Sequence, residues 1–157
     1  MGPGAPRLPR WLTHGVILGI PALAGTYAVI VGIGLNRPFG CGTGNSYFPG
    51  EIVLILMLLL LSGLAGWRTI KSGGSVKDAA LAGLVVGAFA GIVGFFAVSS
   101  SVPAPPPGCP QIPAFVRDNY PSIALQTRIS ALLELAALGL LGGFATARSY
   151  RRWQTPA

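Results

Sequence analysis

Acidic residues are nearly missing from this chain. Four Asp and Glu stand against eleven Lys and Arg in 157 residues, and charged residues total only 10%. A water-soluble domain carries about 25% charged residues, so this composition cannot cover a folded surface with polar groups, and lipid is its natural solvent. Histidine occurs once, and cysteine and methionine twice each. That scarcity excludes a two-histidine haem site within one chain and leaves any zinc site short of ligands. No nucleophile motif or metal-ligand cluster is present, and no catalytic residue or required cofactor is expected. The glycine-rich segment 40–45 lies outside the membrane, with no strand–helix context and no Walker lysine, so it does not meet the requirements of a phosphate loop. The formal charge of +7 does not point to nucleic acid either. The basic residues flank apolar runs and form no extended patch.

What is abundant is apolar length. Hydrophobic residues make up 52% of the chain and gather in four runs, Trp11–Leu35, Ile52–Trp67, Ala79–Val98 and Ile129–Ala147. A bilayer core of about 30 Å needs ~20 helical residues. The runs lack the period-two alternation of barrel strands, and helices satisfy their own backbone in lipid. The expectation is an all-α integral membrane protein, one domain over residues 1–157. Its four transmembrane helices, about 11–35, 51–67, 79–100 and 121–148, form an antiparallel bundle, with outer loops 36–50 and 101–120. In loop 101–120 the proline-rich stretch 102–110 favours polyproline II, and Pro121 reads as the first turn of the fourth helix. Pro21 invites a kink in the first helix.

Orientation follows from the basic residues. Arg7, Arg10, Arg68, Lys71, Lys77, Arg148, Arg151 and Arg152 fall on one side, and Arg37, Arg117 and Arg128 on the other. The positive-inside tendency then places both termini and the middle loop in the cytoplasm, and the plasma membrane is the expected location. Aromatic residues agree: Trp11, Trp67, Tyr150 and Trp153 lie at inner ends, and Phe39, Tyr47, Phe48, Phe115 and Tyr120 at outer ends. Arg7 and Arg10 followed by an apolar stretch and Ala22-Leu23-Ala24 also read as a cleavable signal. The apolar run continues beyond them to Leu35, which favours an uncleaved anchor helix. The two halves share a pattern of helix, cysteine-bearing loop and helix, but too little identity to establish a duplication.

Small residues supply the packing signals. Gly83, Gly87 and Gly91 recur at spacing four in the third run, after Ala79, and Gly139, Gly143 and Ala147 do so in the fourth. The first run offers two ladders, Gly15 with Gly19 and Ala24 with Ala28 and Gly32. Such spacing puts small residues on one face, where backbones approach closely. The second run is large and aliphatic from Ile52 to Leu61, which suits a lipid-facing position and leaves helices one, three and four as the tight core.

Few residues are left to carry chemistry. Cys41 and Cys109 fall one in each outer loop, in an oxidising compartment, and a disulfide between them is expected rather than a redox pair, which would show Cys-x-x-Cys spacing. It closes a loop of about 70 residues and contributes about 4 kcal/mol in the entropy model. Glu134 lies inside the fourth run, and an intramembrane acid is a functional candidate by default. Thr26 and Tyr27 are expected at its level as hydrogen-bond partners. His14, at the inner end of the first helix, is a candidate single axial ligand for a haem or pigment, and Met57 has no matched ligand.

These readings lead to a structural or accessory subunit that meets other membrane subunits, or further copies of itself, through glycine-rich faces and tied outer loops. The alternatives are a component of an ion, proton or solute transporter using Glu134, and pigment or haem binding at His14.

Overall fold

The computed structural model describes residues 8–32, 48–97 and 114–154. They form four helices, α1 (Arg10–Gly32), α2 (Phe48–Lys71), α3 (Val76–Ala97) and α4 (Ala114–Gln154). Among the described residues there is no strand. All four helices are long and apolar enough to cross a membrane, as in a multi-pass membrane protein within a lipid bilayer.

The helix bounds differ from the expected ones mainly in α4. It begins at Ala114 rather than near Pro121 and runs on to Gln154, 41 residues in all. At 1.5 Å per residue that is about 60 Å, twice the thickness of a bilayer core. Pro121 is therefore interior to the helix, and its side chain is exposed. A proline there removes one backbone donor, a loss that water can relieve at an exposed position outside lipid. Pro21 likewise lies inside α1. In α2, Pro49 occupies the first turn, where its missing N–H is no loss.

The turn between α2 and α3 is set by local chemistry. Gly73 takes φ +86°, a left-handed conformation that glycine adopts without strain. Its N–H donates to the Ile70 carbonyl at 2.9 Å, and the Gly74 N–H donates to the Thr69 carbonyl at 2.9 Å, a Schellman closure of α2. Ser75 then caps α3. The Asp78 N–H donates to Ser75 Oγ at 3.1 Å, and the Ser75 N–H donates back to the Asp78 carboxylate at 2.8 Å. This reciprocal pair satisfies two donors that a helix start would leave open.

α2 and α3 each pack against all the other helices, whereas the backbones of α1 and α4 do not approach each other among the described residues. The most extensive contact is between α3 and α4. Gly83, Gly87 and Gly91 face Gly143, Ala136 and Leu132, so residue numbers rise along α3 as they fall along α4. A Cβ added at Gly87 would lie 2.9 Å from the Ala136 Cα and closer still to the Leu135 carbonyl oxygen. Backbone meets backbone at this seam.

The expectation that α2 stands outside a core of α1, α3 and α4 is corrected here. Its first half is indeed exposed, with Leu56 and Leu60 turned outward, but Leu58 is fully buried. Its second half presents Ser62, Gly63, Ala65, Gly66 and Thr69 inward. Gly66 lies so close to α4 that an added Cβ would be 2.6 Å from the Gly143 carbonyl oxygen. The main core joins Leu58 and Ala65 of α2 to Ala22 of α1, Ala82, Val86 and Ala90 of α3, and Leu135 of α4. A second cluster of Ile70, Ala79 and Ala147 lies near the α2–α3 turn. In α1, the inward ladder is Gly15 and Gly19, continued by Ala22, Thr26 and Ile30, while Ala24 and Ala28 are exposed.

Candidate functional site

Glu134 is exposed on α4. The register of the seam fixes its level. Leu132 lies against Gly91 and Leu135 against Gly87, so Glu134 stands level with Ala88 and Phe89 of α3. Phe89 in turn packs on Gly19 of α1. Thr26 and Tyr27 are therefore about two helical turns away along the bundle axis, on a helix whose backbone α4 does not approach. The structure does not bring the three together. The Thr26 hydroxyl is buried and donates to the Ala22 carbonyl at 2.8 Å, and Tyr27 is 61% exposed. The Glu134 carboxyl has no hydrogen bond or ion pair among the described residues.

The helices that flank α4 offer it no base. The charges of α3 are Lys77 and Asp78, both in its first turn, and those of α2 are Glu51, Arg68 and Lys71, at its two ends. On α4 itself the nearest basic residue is Arg128, whose guanidinium lies 5.8 Å from the Phe95 ring centre. Leaving a carboxyl in an apolar environment without a partner costs on the order of a few kcal/mol.

The interior beside Glu134 is closed and apolar. Val86, Gly87 and Ala90 of α3 and Leu135 of α4 fill it. The buried hydroxyls of Thr26, Ser62 and Thr69 each return to a carbonyl of their own helix, and no buried side-chain polar atom among the described residues lacks a partner. A chain of polar groups across the bundle is not formed by these residues.

A second polar grouping lies where α1 begins and α2 ends. The Arg10 guanidinium donates to the Ser72 carbonyl, one of the carbonyls left open at the end of α2. His14 Nδ1 lies 3.2 Å from Thr69 Oγ1. Because the Thr69 hydroxyl donates its own proton to the Ala65 carbonyl at 2.8 Å, Nδ1 is the donor in this pair. Nε2 then carries the lone pair. Ligation through Nε2 needs that tautomer, but one histidine is a single donor atom, and among the described residues no three His, Cys, Asp or Glu side chains gather. Lys71 Nζ stands 4.9 Å from the Trp67 ring centre at the same end.

Thr69 and Ser72 carry no motif and were not singled out by sequence reasoning. The spacing of Ser62, Ala65, Gly66 and Thr69, one small residue every three or four positions, is the signal that points them inward. Met57 packs against Gly25 of α1, a packing role. Cys41 and Cys109, and with them the expected disulfide, lie outside the described residues, as does the segment 40–45.

Comparison of the chain with protein-family models, with curated proteins and with solved structures gives no match in any of the three.

Proposed function

We propose that this chain is a structural or accessory subunit of a larger membrane assembly. It forms an antiparallel bundle in the plasma membrane with both termini cytoplasmic, and the outer loops 36–50 and 101–120 are tied by Cys41 and Cys109. The observation that carries this reading is Glu134, an ionisable side chain exposed on an apolar helix with no partner among the described residues. α4 is also the least covered of the four helices.

The glycine faces of α3 and α4 pack within the chain. Gly83, Gly87, Gly91, Gly139 and Gly143 meet one another, or each other's helices, within the chain. Contact with other subunits therefore falls to the exposed face of α4 and to the outer loops. Transport through the chain has less support, because the interior level with Glu134 is apolar.

The test is photo-crosslinking in native membranes. A crosslinking residue at Leu141, exposed on α4, is expected to trap a second polypeptide, and one at Leu56, exposed on α2, is not. A chain that stays monomeric in mild detergent and gives no adduct from Leu141 removes the reading.

A further inference from the structure

The exposed face of α4 around Glu134 has a definite shape and chemistry. Leu133 and Leu141 stand out from it, 61% and 56% exposed. Ser130 and Ala137, one turn before and one turn after Glu134, are small and at least partly exposed. The carboxyl thus sits in a shallow notch, Ser130–Glu134–Ala137, in a leucine-rich surface. The notch leaves room for a long side chain to reach the carboxyl.

Glu134 lies within the apolar stretch 129–147 of α4. Glu134 is about 9 Å along the helix from Arg128 and about 20 Å from Ala147, at 1.5 Å per residue. Both flanking stretches are apolar, and neither α2 nor α3 carries a base near that level.

We propose that the notch receives a transmembrane helix of another polypeptide bearing one lysine or arginine level with Glu134, which pairs with its carboxylate. Charge complementarity selects this occupant. A base neutralises the acid and supplies N–H donors, whereas a second copy of α4 in the same orientation brings a second carboxyl to the same depth. Leucine surfaces on both sides close over the pair and keep it from water. The proposal rests on the subunit reading and names the chemistry of the partner.

The experiment uses the full-length protein, labelled with a fluorescence donor and reconstituted into phosphatidylcholine vesicles. The probes are labelled leucine–alanine transmembrane peptides that carry a single Lys at the depth of Glu134, a single Lys two turns away, a single Glu at that depth, or no polar residue. Energy transfer is expected to report association about tenfold stronger for the depth-matched Lys peptide than for the apolar one. Glu134→Leu is expected to abolish that difference, and Glu134→Gln to reduce it. Glu134 is exposed, so both variants retain the bundle, and an unchanged unfolding transition in detergent confirms it.

Equal association of the Lys and apolar peptides overturns the proposal. So does a Lys two turns away that binds as well as the matched one. Energy transfer between two labelled copies of the chain that is lost in Glu134→Leu also overturns it, since a second copy then covers the notch. Capture of the matched peptide by a chain that forms no adduct in native membranes keeps the chemistry of the notch and removes the subunit reading. Adducts from Leu141 without selectivity for Lys do the reverse.

Discussion

Gly83 of α3 and Gly143 of α4 face each other so closely that a Cβ built on Gly83 falls 3.0 Å from the Gly143 Cα, and one built on Gly143 falls 3.1 Å from the Gly83 Cα. The obstacle on each side is backbone, which cannot rotate away as a flexible side chain can. One added methyl group must therefore push the helices apart along the whole seam. Gly83→Ala is expected to destabilise the bundle by about 1–3 kcal/mol, the usual cost of overpacking. Gly94→Ala is the control. Its Cβ would meet only the Leu135 and Ala131 side chains at 3.4 and 3.5 Å, an ordinary contact, and alanine is the better helix former. Denaturant titration in detergent, followed by circular dichroism, should show a clear loss for the first and none for the second.

The position of α2 makes a second contrast. Leu58 is fully buried and Leu60 is 65% exposed, although they are two residues apart on one leucine-rich helix. In lipid both side chains stay in apolar surroundings, so the difference between them is packing rather than transfer from water. Leu58→Ala is expected to cost about 2 kcal/mol, toward the lower end of the range for buried leucines in water-soluble cores. Leu60→Ala should leave the unfolding midpoint unchanged. Equal losses would mean that α2 stands at the edge of the bundle.

These residues also show what can be read from the sequence and what cannot. The number of helices and the glycine seam are written in periodicity, because small residues at spacing four leave a groove that only a close neighbour fills. The role of α2 is less visible. Its first half is dominated by large aliphatics, and those obscure the small residues of its second half. Ser62, Gly66 and Thr69 decide where it packs. The start of α4 is hidden by Pro121, since proline is far commoner at a helix start than within one. The level of Glu134 relative to Thr26 depends on how far each helix is shifted along its neighbours. The seam contacts fix that shift, and helix length alone does not.

Gly73 concentrates the geometry of the α2–α3 turn in one residue. At φ +86° an alanine side chain is strained, whatever space surrounds it. Gly73→Ala is expected to cost about 1 kcal/mol by this conformational penalty alone. Gly73→Asn, which tolerates the left-handed region better, should recover part of that loss. Thermal unfolding of the three proteins in the same detergent gives the order wild type, Asn, Ala. Any other order separates the turn from the stability of the bundle.

The pair of His14 and Thr69 joins α1 to α2 through a proton whose position is testable. The Thr69 hydroxyl gives its proton to the Ala65 carbonyl and so can only accept from the ring, at 3.2 Å. The imidazole is therefore held with hydrogen on Nδ1, the less common tautomer in water. Nitrogen-15 chemical shifts of the ring at a pH where His14 is neutral should report a protonated Nδ1 and an unprotonated Nε2. Thr69→Val keeps the shape and removes the oxygen, leaving a half-buried Nδ1 without its acceptor. It should shift the tautomer toward Nε2–H and lower stability by about 1 kcal/mol, the net worth of one hydrogen bond. Thr69→Ser should preserve both. A ring that is protonated on Nε2 in the wild-type protein, or one unmoved by Thr69→Val, would show that this pair does not set the histidine and that some other group holds it.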